Sequence, residues 1–156
     1  MKIDSKPYGE IEVDSSKIVN IEGGLFGFED HEEFVIIGKK EEQPFEWLQA
    51  VDDSTLAFVM VQPLVVRPNY ELSLLQEDLY SIGAESTDDI IPYLLLVVPD
   101  DPQEMTANLK GPVIINQENL QGKQVINQID EYGVRHKVLQ EMEESGSDIL
   151  SGSETS

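Results

Sequence analysis

The sequence contains no cysteine, and its only two histidines are His31 and His136. Without thiols the chain can form neither disulfide bonds nor the cysteine ligand sets of zinc sites and iron–sulfur clusters, and it has no thiolate nucleophile. The two histidines lie far apart along the chain, so the fold would have to assemble any catalysis centred on histidine. The lack of cysteine thus excludes thiol-based catalysis and cysteine metal sites, and a chain without thiols suits a reducing cytosol.

Basic residues are scarce as well. Ten lysines and arginines stand against 31 aspartates and glutamates, which gives a formal net charge of −21 at pH 7. Nucleic-acid-binding proteins owe much of their affinity to lysine and arginine side chains that neutralise phosphates, so direct binding of nucleic acid is not expected. A cationic protein surface is the more natural partner, although solubility alone explains the same charge.

Long apolar runs are also lacking. No stretch approaches the roughly 18 apolar residues of a membrane-spanning helix, and no apolar segment of signal-peptide length follows Lys2. We therefore expect a cytoplasmic protein that does not bind membranes. A length of 156 residues with 40% hydrophobic content fits one domain with its own core.

No catalytic motif is present in the sequence. The chain has no Gly-x-Ser-x-Gly elbow and no Gly-x-Gly-x-x-Gly, and Gly122-Lys123 lacks the earlier glycine of a phosphate-binding loop. The acidic segments around His31 and Asp100 contain metal-binding residue types without the spacing of a zinc or calcium site. We predict no catalytic, cofactor or metal site, and a metal- or carboxylate-centred enzyme at these segments is the alternative.

Apolar and polar residues alternate over several short segments, which predicts strands. The N-terminal residues alternate on both sides of Lys6-Pro7-Tyr8-Gly9, whose composition predicts the turn of a hairpin. Turn residues separate nearly all of the segments, and this spacing is typical of a barrel or a sandwich. Further strands are predicted at 17–21, 33–37, 45–51, 56–61, 91–98, 105–108, 113–116 and 123–129.

Two helical segments and a tail complete the predicted organisation. Leucines recur at helical spacing between Asn69 and Ile82, and a second helix is expected after Arg135. From Glu141 onward the chain is rich in Glu, Ser and Gly and has no basic residue, which predicts a disordered acidic tail at 141–156 after a single β domain at 1–140. Its apolar pair, Ile149-Leu150, is either a docking spot or a solvated pair without a role.

Aromatic residues in two segments are candidates for partner binding. Phe26 and Phe28 lie in a glycine-rich loop, where they either fold back onto the core or anchor a partner. Phe45 and Trp47 alternate along a predicted strand, which places both rings on one face, and core packing is the simpler interpretation there.

A turn-free apolar run at 106–116 contains two polar candidates. Asn108 and Lys110 lie beside Gly111-Pro112, a dipeptide that favours a turn or a bulge in a strand. Their role is therefore either structural or in binding.

These segments carry a resemblance to a known family. The sequence resembles the flagellar assembly factor FliW family over about residues 1 to 138, and the segments occur in the family's order. The block at 106–116 followed by Gly122-Lys123-Gln124 is the most specific part. Leu25-Phe26-Gly27 departs from the proline-containing turn often seen in that family's loop. The residues that carry the resemblance are Ile21-Glu22-Gly23-Gly24-Leu25-Phe26-Gly27-Phe28-Glu29, Phe34-Val35-Ile36, Pro44-Phe45, Leu48-Gln49, Leu56-Ala57-Phe58, the block at 106–116 and Gly122-Lys123-Gln124-Val125.

The resemblance implies a mainly β domain, namely a small antiparallel β-barrel-like fold (a pseudo-barrel) with a few short helices that is a monomer on its own and not an enzyme. It implies two partners: flagellin, and CsrA, a small dimeric RNA-binding repressor of translation. In the family's circuit, FliW freed by flagellin export captures CsrA and relieves repression of flagellin mRNA, and accumulating flagellin takes FliW back. The candidate partner-binding residues are Phe26, Phe28, Glu29, Phe45, Trp47, Asn108 and Lys110.

A third possibility is that the acidic chain mimics nucleic acid and occupies the RNA site of its partner directly. The family's antagonism is understood to act away from the RNA-binding surface, so the resemblance does not favour mimicry. Competition with RNA distinguishes the two modes.

Overall fold

The computed structural model describes residues 1–145, which contain eleven strands and three short α-helices. The strands are β1 (Lys2–Ser5), β2 (Gly9–Glu12), β3 (Val19–Ile21), β4 (Glu33–Ile37), β5 (Glu46–Ala50), β6 (Ala57–Val61), β7 (Ile90–Val97), β8 (Thr106–Ala107), β9 (Val113–Asn116), β10 (Gln121–Gln124) and β11 (His136–Lys137). The helices are α1 (Pro63–Val66), α2 (Gln76–Tyr80) and α3 (Val138–Ser145).

Strand β7 closes the main sheet into a barrel because it is long enough to pair with three other strands. Its first half pairs with β9, and its second half pairs with β6 on one side and with β8 on the other. The order around the barrel is β7-β6-β5-β4-β3-β10-β9 and back to β7, which makes seven strands. The predicted mainly β, barrel-like fold with short helices is confirmed. Its pairings are antiparallel except for β3 with β10, which run parallel.

Alternate side chains of these strands fill the barrel, as the two-residue period of a strand requires. Leu48 and Ala50 of β5 are fully buried there and belong to one cluster with Phe34 of β4 and Met60 of β6. Leu25, from the loop after β3, joins the same cluster. Burying a leucine, phenylalanine or methionine side chain stabilises the fold by about 1.5–3 kcal/mol.

The helices cover apolar residues on the outer face of the sheet. One outer cluster joins Leu94 of β7 to Val66 of α1 and to Val138 and Met142 of α3. A second cluster joins Leu79 of α2 to residues of β9 and of the segment after β10. Both faces of the central strands are therefore buried, which explains why β7 reads as an almost continuous apolar run.

The hairpin of β1 and β2 forms as predicted and is held to the barrel through Gln49 of β5. The backbone N–H of Lys6 donates to Oε1 of Gln49 at 2.7 Å. The amide nitrogen of Gln49 donates to the carbonyl oxygens of Asp53 and Leu56 at 3.0 and 3.2 Å. Gln49 is fully buried, and these bonds satisfy its polar atoms.

The predicted strand at 123–129 is wrong beyond Gln124, where β10 ends. After that residue the backbone leaves the ladder and bonds to loops instead. The N–H of Asn127 donates to the carbonyl of Lys110 at 2.8 Å, and the N–H of Gln128 donates to that of Ser73 at 2.8 Å. Tertiary hydrogen bonds therefore override the apolar pattern of this segment.

The predicted helix between Asn69 and Ile82 is limited to α2, and α1 was not predicted. The part of the 69–82 segment that precedes α2 is held away from helical geometry by the buried side chain of Asn127. The Asn127 amide nitrogen donates to the carbonyl of Glu71 at 2.7 Å, and Oδ1 accepts from the N–H of Ser73 at 3.1 Å. Helical spacing of the leucines was therefore an incomplete guide.

The helix expected after Arg135 is α3, and it crosses the predicted boundary between residues 140 and 141. Residues 141–145 belong to the helix, and the Met142 side chain is buried in the outer cluster. This part of the predicted disordered tail is thus corrected. Residues 146–156, including Ile149-Leu150, lie outside the described residues.

Candidate functional site

The loop between β3 and β4 places two aromatic side chains on the surface. Phe26 is 49% exposed and Phe28 is 41% exposed, whereas Leu25 beside them is buried in the barrel cluster. The chain turns at Gly24, where φ is +72° and an added Cβ would lie 2.7 Å from the Cα of Glu29. Only glycine fits this position without displacing the backbone. Both rings are accessible at the surface, and Phe28 also packs back onto the sheet.

Hydrogen bonds within the loop hold its conformation. The N–H of Phe28 donates to the carbonyl of Leu25 at 2.8 Å, and the N–H of Gly27 donates to the Glu29 carboxylate at 2.9 Å. This backbone hydrogen bond, the largest contribution, lowers the pKa of Glu29. The Phe28 ring packs edge to face on Phe58 of β6, with centroids 5.2 Å apart. Glu29 therefore stabilises the loop, and of the two rings Phe28 has an aromatic neighbour.

A buried glutamine joins this loop to the turn after β8. Oε1 of Gln124 accepts from the N–H of Phe26 at 2.8 Å, and its amide nitrogen donates to the carbonyl of Gly111 at 2.8 Å. Gln124 is at the end of β10 and is buried. The fold thereby brings together two candidate segments that are far apart in sequence.

Asn108 and Lys110 make hydrogen bonds within the chain. Oδ1 of Asn108 accepts from the backbone N–H groups of Lys110 and Gly111 at 3.1 and 2.8 Å. The Lys110 ammonium donates to the carbonyl of Ile129 at 3.2 Å. These bonds correspond to the structural interpretation of the two residues, in which they build the turn that Gln124 connects to the aromatic loop.

Phe45 and Trp47 lie in a different region, next to an apolar groove. As their alternation predicts, both rings line one cavity, of about 380 Å³, together with Val59 of β6. Phe45 also packs against the outer cluster, and both residues are half-buried. The structure does not bring these two residues together with Phe26 and Phe28 in one site.

The acidic segment around His31 is hydrogen-bonded to the turn after β5. The Nδ1 atom of His31 lies 2.9 Å from Oδ1 of Asp52, and this hydrogen bond raises the pKa of His31. Within residues 1–145 no group of three or more histidines, aspartates and glutamates could hold a metal ion. The metal-centred alternative gains no support from this part of the chain.

Comparison with known proteins identifies the family. A family model described as "FliW protein" matches residues 2–138. The chain belongs to the FliW family. It is 40% identical over 148 residues to the flagellar assembly factor FliW of Thermoanaerobacter pseudethanolicus, covering 94% of this chain and 99% of that one. It is also 40% identical over 147 residues to the flagellar assembly factor FliW of Leptospira biflexa, with 94% and 96% covered.

A solved FliW structure has the same fold. The crystal structure of the flagellar assembly factor FliW superposes with a TM-score of 0.82 at 35% sequence identity, covering 88% of this chain and 96% of that one. Full-length similarity to proteins with this name makes the chain a flagellar assembly factor of the FliW family.

The segments that carry the FliW resemblance have distinct structural roles. Gly24 and Leu25 shape the aromatic loop, and the 106–116 block provides β8, its following turn and β9. Gln124, from the Gly-Lys-Gln segment, hydrogen-bonds to both.

No helix in residues 1–145 has the length and apolar composition needed to cross a membrane.

The groove was missed by sequence reasoning. Its walls come from β6, the end of β7 and the start of α3, and the only local signal was the pair Val97-Val98 before a proline-rich turn. Gln124 belongs to the Gly-Lys-Gln segment that carries the family resemblance, but nothing in the sequence indicates which residues its side chain contacts.

Proposed function

We propose that this chain is a non-catalytic cytoplasmic adaptor that binds flagellin and sequesters the translational repressor CsrA, which couples flagellin synthesis to export. Membership in the FliW family supports this function, because the chain covers nearly the whole length of relatives that are flagellar assembly factors. The adaptor needs no active site, which is consistent with the lack of catalytic motifs in the sequence.

The observation that best supports binding is the exposed aromatic loop. Phe26 is about half exposed although its backbone is fixed by Gln124 and by the turn at Gly24. Aromatic side chains are frequent anchors of protein interfaces, and a preorganised anchor loses less conformational entropy on binding than a mobile one. This loop is therefore suited to hold a protein partner.

The charge of the chain supports an encounter with CsrA. A protein that holds RNA needs a cationic surface, and a chain with a formal charge of −21 attracts such a surface over the Debye length of about 8 Å. Electrostatic attraction of this kind raises the association rate more than it defines the contact. We therefore expect the charge to raise the rate at which CsrA and this chain associate, while apolar contacts provide the binding surface.

Calorimetry with purified flagellin and purified CsrA tests the proposal. We expect each protein to bind the full chain, and we expect added flagellin to release CsrA from a preformed complex. A pull-down from a lysate of a flagellated bacterium should recover both partners, and recovery of neither would overturn the assignment.

Competition with RNA distinguishes the proposed mode from nucleic-acid mimicry. If the chain binds away from the RNA site of CsrA, saturating RNA leaves its calorimetric affinity for CsrA measurable, with a reduced value where the two sites are coupled. Strict mutual exclusion, in which the apparent Kd rises in proportion to the RNA concentration without limit, would show that the chain occupies the RNA site.

A further inference from the structure

An open apolar groove of about 530 Å³ runs along the outer face of the barrel beside α3. Its size falls within the range of functional clefts. Val98 in its wall is 48% exposed, and Met105 below it is buried. The apolar side chains that line it are Phe45, Val59, Val98, Pro102, Met105 and Leu139.

The groove continues into the smaller cavity that contains Trp47, because Phe45 and Val59 line both. We call the two neighbouring cavities together the trough; Phe45, Trp47 and Val59 are apolar residues of its lining, and Glu41, Glu42 and Gln43 also line the smaller cavity. The far wall of the trough is the turn that begins at Pro102, and Leu139 of α3 forms the side wall.

Helix α3 is held firmly enough to act as a wall. The Arg67 guanidinium lies 3.4 Å from the Glu141 carboxylate, and Nδ1 of His136 lies 2.9 Å from the same carboxylate. Met142, the next residue, is buried against the barrel. These contacts fix the first turns of the helix, so the groove is preformed.

The fold favours a helix over an extended strand as the occupant. Strand addition needs a free sheet edge, but the barrel is closed, and the main sheet ends at β11, which has two residues. Among residues 1–145 the other exposed edges belong to the four-residue strands of the N-terminal hairpin, whose residues do not line the groove. An amphipathic helix, which lays its apolar face into a groove, fits this surface instead.

The charges at both ends of the trough indicate the flanks of that helix. Glu41 and Glu42 line the end near Trp47, where Glu42 accepts a hydrogen bond from the Tyr8 hydroxyl. At the other end Asp100 and Asp101 precede the Pro102 wall. A helix with basic residues on either side of its apolar face complements these carboxylates.

We infer that this groove binds one amphipathic α-helix whose apolar face contacts Val98, Phe45 and Leu139 and whose flanks are basic. The charge of the chain is assigned above to the encounter with CsrA, so we assign the apolar groove to a helix of flagellin, the other proposed partner. This assignment rests on the proposed function.

Variants at Val98 test the groove. Val98→Glu and Val98→Lys place opposite charges on the groove wall, and both should weaken flagellin binding at least tenfold, about 1.4 kcal/mol, because both remove the apolar contact. Leu75→Glu is the matched control, since Leu75 is 46% exposed and does not line the groove. It should change the affinity less than about twofold. Affinities are measured by calorimetry, and unfolding curves show that each variant is folded.

The outcomes separate the groove from the proposed function. If the unchanged chain fails to bind flagellin, the proposed function fails. If it binds flagellin and both Val98 variants bind equally well, the groove assignment alone is overturned. The assignment is also overturned if the variants weaken CsrA binding instead, or if sedimentation shows a dimer that Val98→Glu dissociates.

Discussion

Oε1 of Gln124 lies 2.8 Å from the backbone nitrogen of Phe26 and accepts its hydrogen bond across 98 residues of sequence. The other end of the same amide bonds to Gly111, so one buried side chain fixes both the aromatic loop and the turn after β8. A buried amide with both ends occupied is costly to replace, because its partners lose their hydrogen bonds in the interior. The geometry of the exposed Phe26 ring therefore depends on a residue that no partner needs to touch.

Replacing this side chain should destabilise the fold. Gln124→Ala leaves the N–H of Phe26 and the carbonyl of Gly111 without their partner, which costs about 1–3 kcal/mol of the free energy of unfolding. Gln128→Ala is the control, because Gln128 is exposed and should change stability by less than about 0.5 kcal/mol. Urea denaturation measures both, and equal stabilities would show that these hydrogen bonds contribute nothing net.

Two neighbouring glycines should respond differently to alanine. Both have positive φ, +74° at Gly23 and +72° at Gly24, so each alanine carries the left-handed strain of about 1–2 kcal/mol. At Gly24 the added Cβ also meets the backbone of Glu29 at 2.7 Å, whereas at Gly23 nothing lies within 4 Å. Gly24→Ala should therefore be the more destabilising in thermal unfolding. The opposite order would contradict the loop conformation.

Alanine variants of Phe26 and Phe28 should differ in how they affect the stability of the fold and the affinity for partners. Phe26→Ala removes a half-exposed ring and should leave the free energy of unfolding within about 0.5 kcal/mol, yet weaken partner binding severalfold. Phe28→Ala also removes the edge-to-face contact with Phe58. It should lower the free energy of unfolding by about 0.5–1.5 kcal/mol for this contact, beyond what the loss of buried apolar area costs. Calorimetry and denaturation measure the two effects. A Phe26→Ala chain with full affinity for both flagellin and CsrA would exclude this ring as an anchor.

Truncation tests the role of the last helix. A chain that ends at Gln140 loses Met142 from the outer cluster and the Glu141 partner of Arg67. Its free energy of unfolding should therefore be lower than that of the full chain by about 2 kcal/mol or more. A chain that ends at Ser145 retains these contacts and should be the more stable of the two truncations. Denaturation of both truncations isolates residues 141–145. Equal stability of the two would place the domain boundary back at residue 140.

Salt should affect the two proposed complexes differently. Raising the salt concentration from about 50 to about 500 mM screens exposed charges, so binding to the cationic CsrA surface should weaken markedly. Flagellin binding should change less, because the apolar groove provides most of its contact and only the flanks of the bound helix are charged. Calorimetry over the salt series gives the two slopes, and equal slopes would remove the distinction between a steered and an apolar contact.

Local sequence patterns determined much of the fold. The strands at 33–37 and 113–116 lie where alternation and apolar runs predicted them, because strand formation there depends on neighbouring residues. The predicted strand at 123–129 was wrong beyond Gln124 because Asn127 draws the surrounding backbone into loop hydrogen bonds. The helix between Asn69 and Ile82 was shortened to α2 by the same side chain.

The sequence by itself determined the acidic charge, the absence of thiol chemistry, the order of short strands and the residues that identify the FliW family. Only the tertiary structure decided that the Phe26 loop meets the Asn108 turn through Gln124, and that Phe45 and Leu139 line one groove. The physical reason is that alternation and turn chemistry act between near neighbours. A single long-range hydrogen bond or a groove shared by distant strands leaves no periodic trace in the chain.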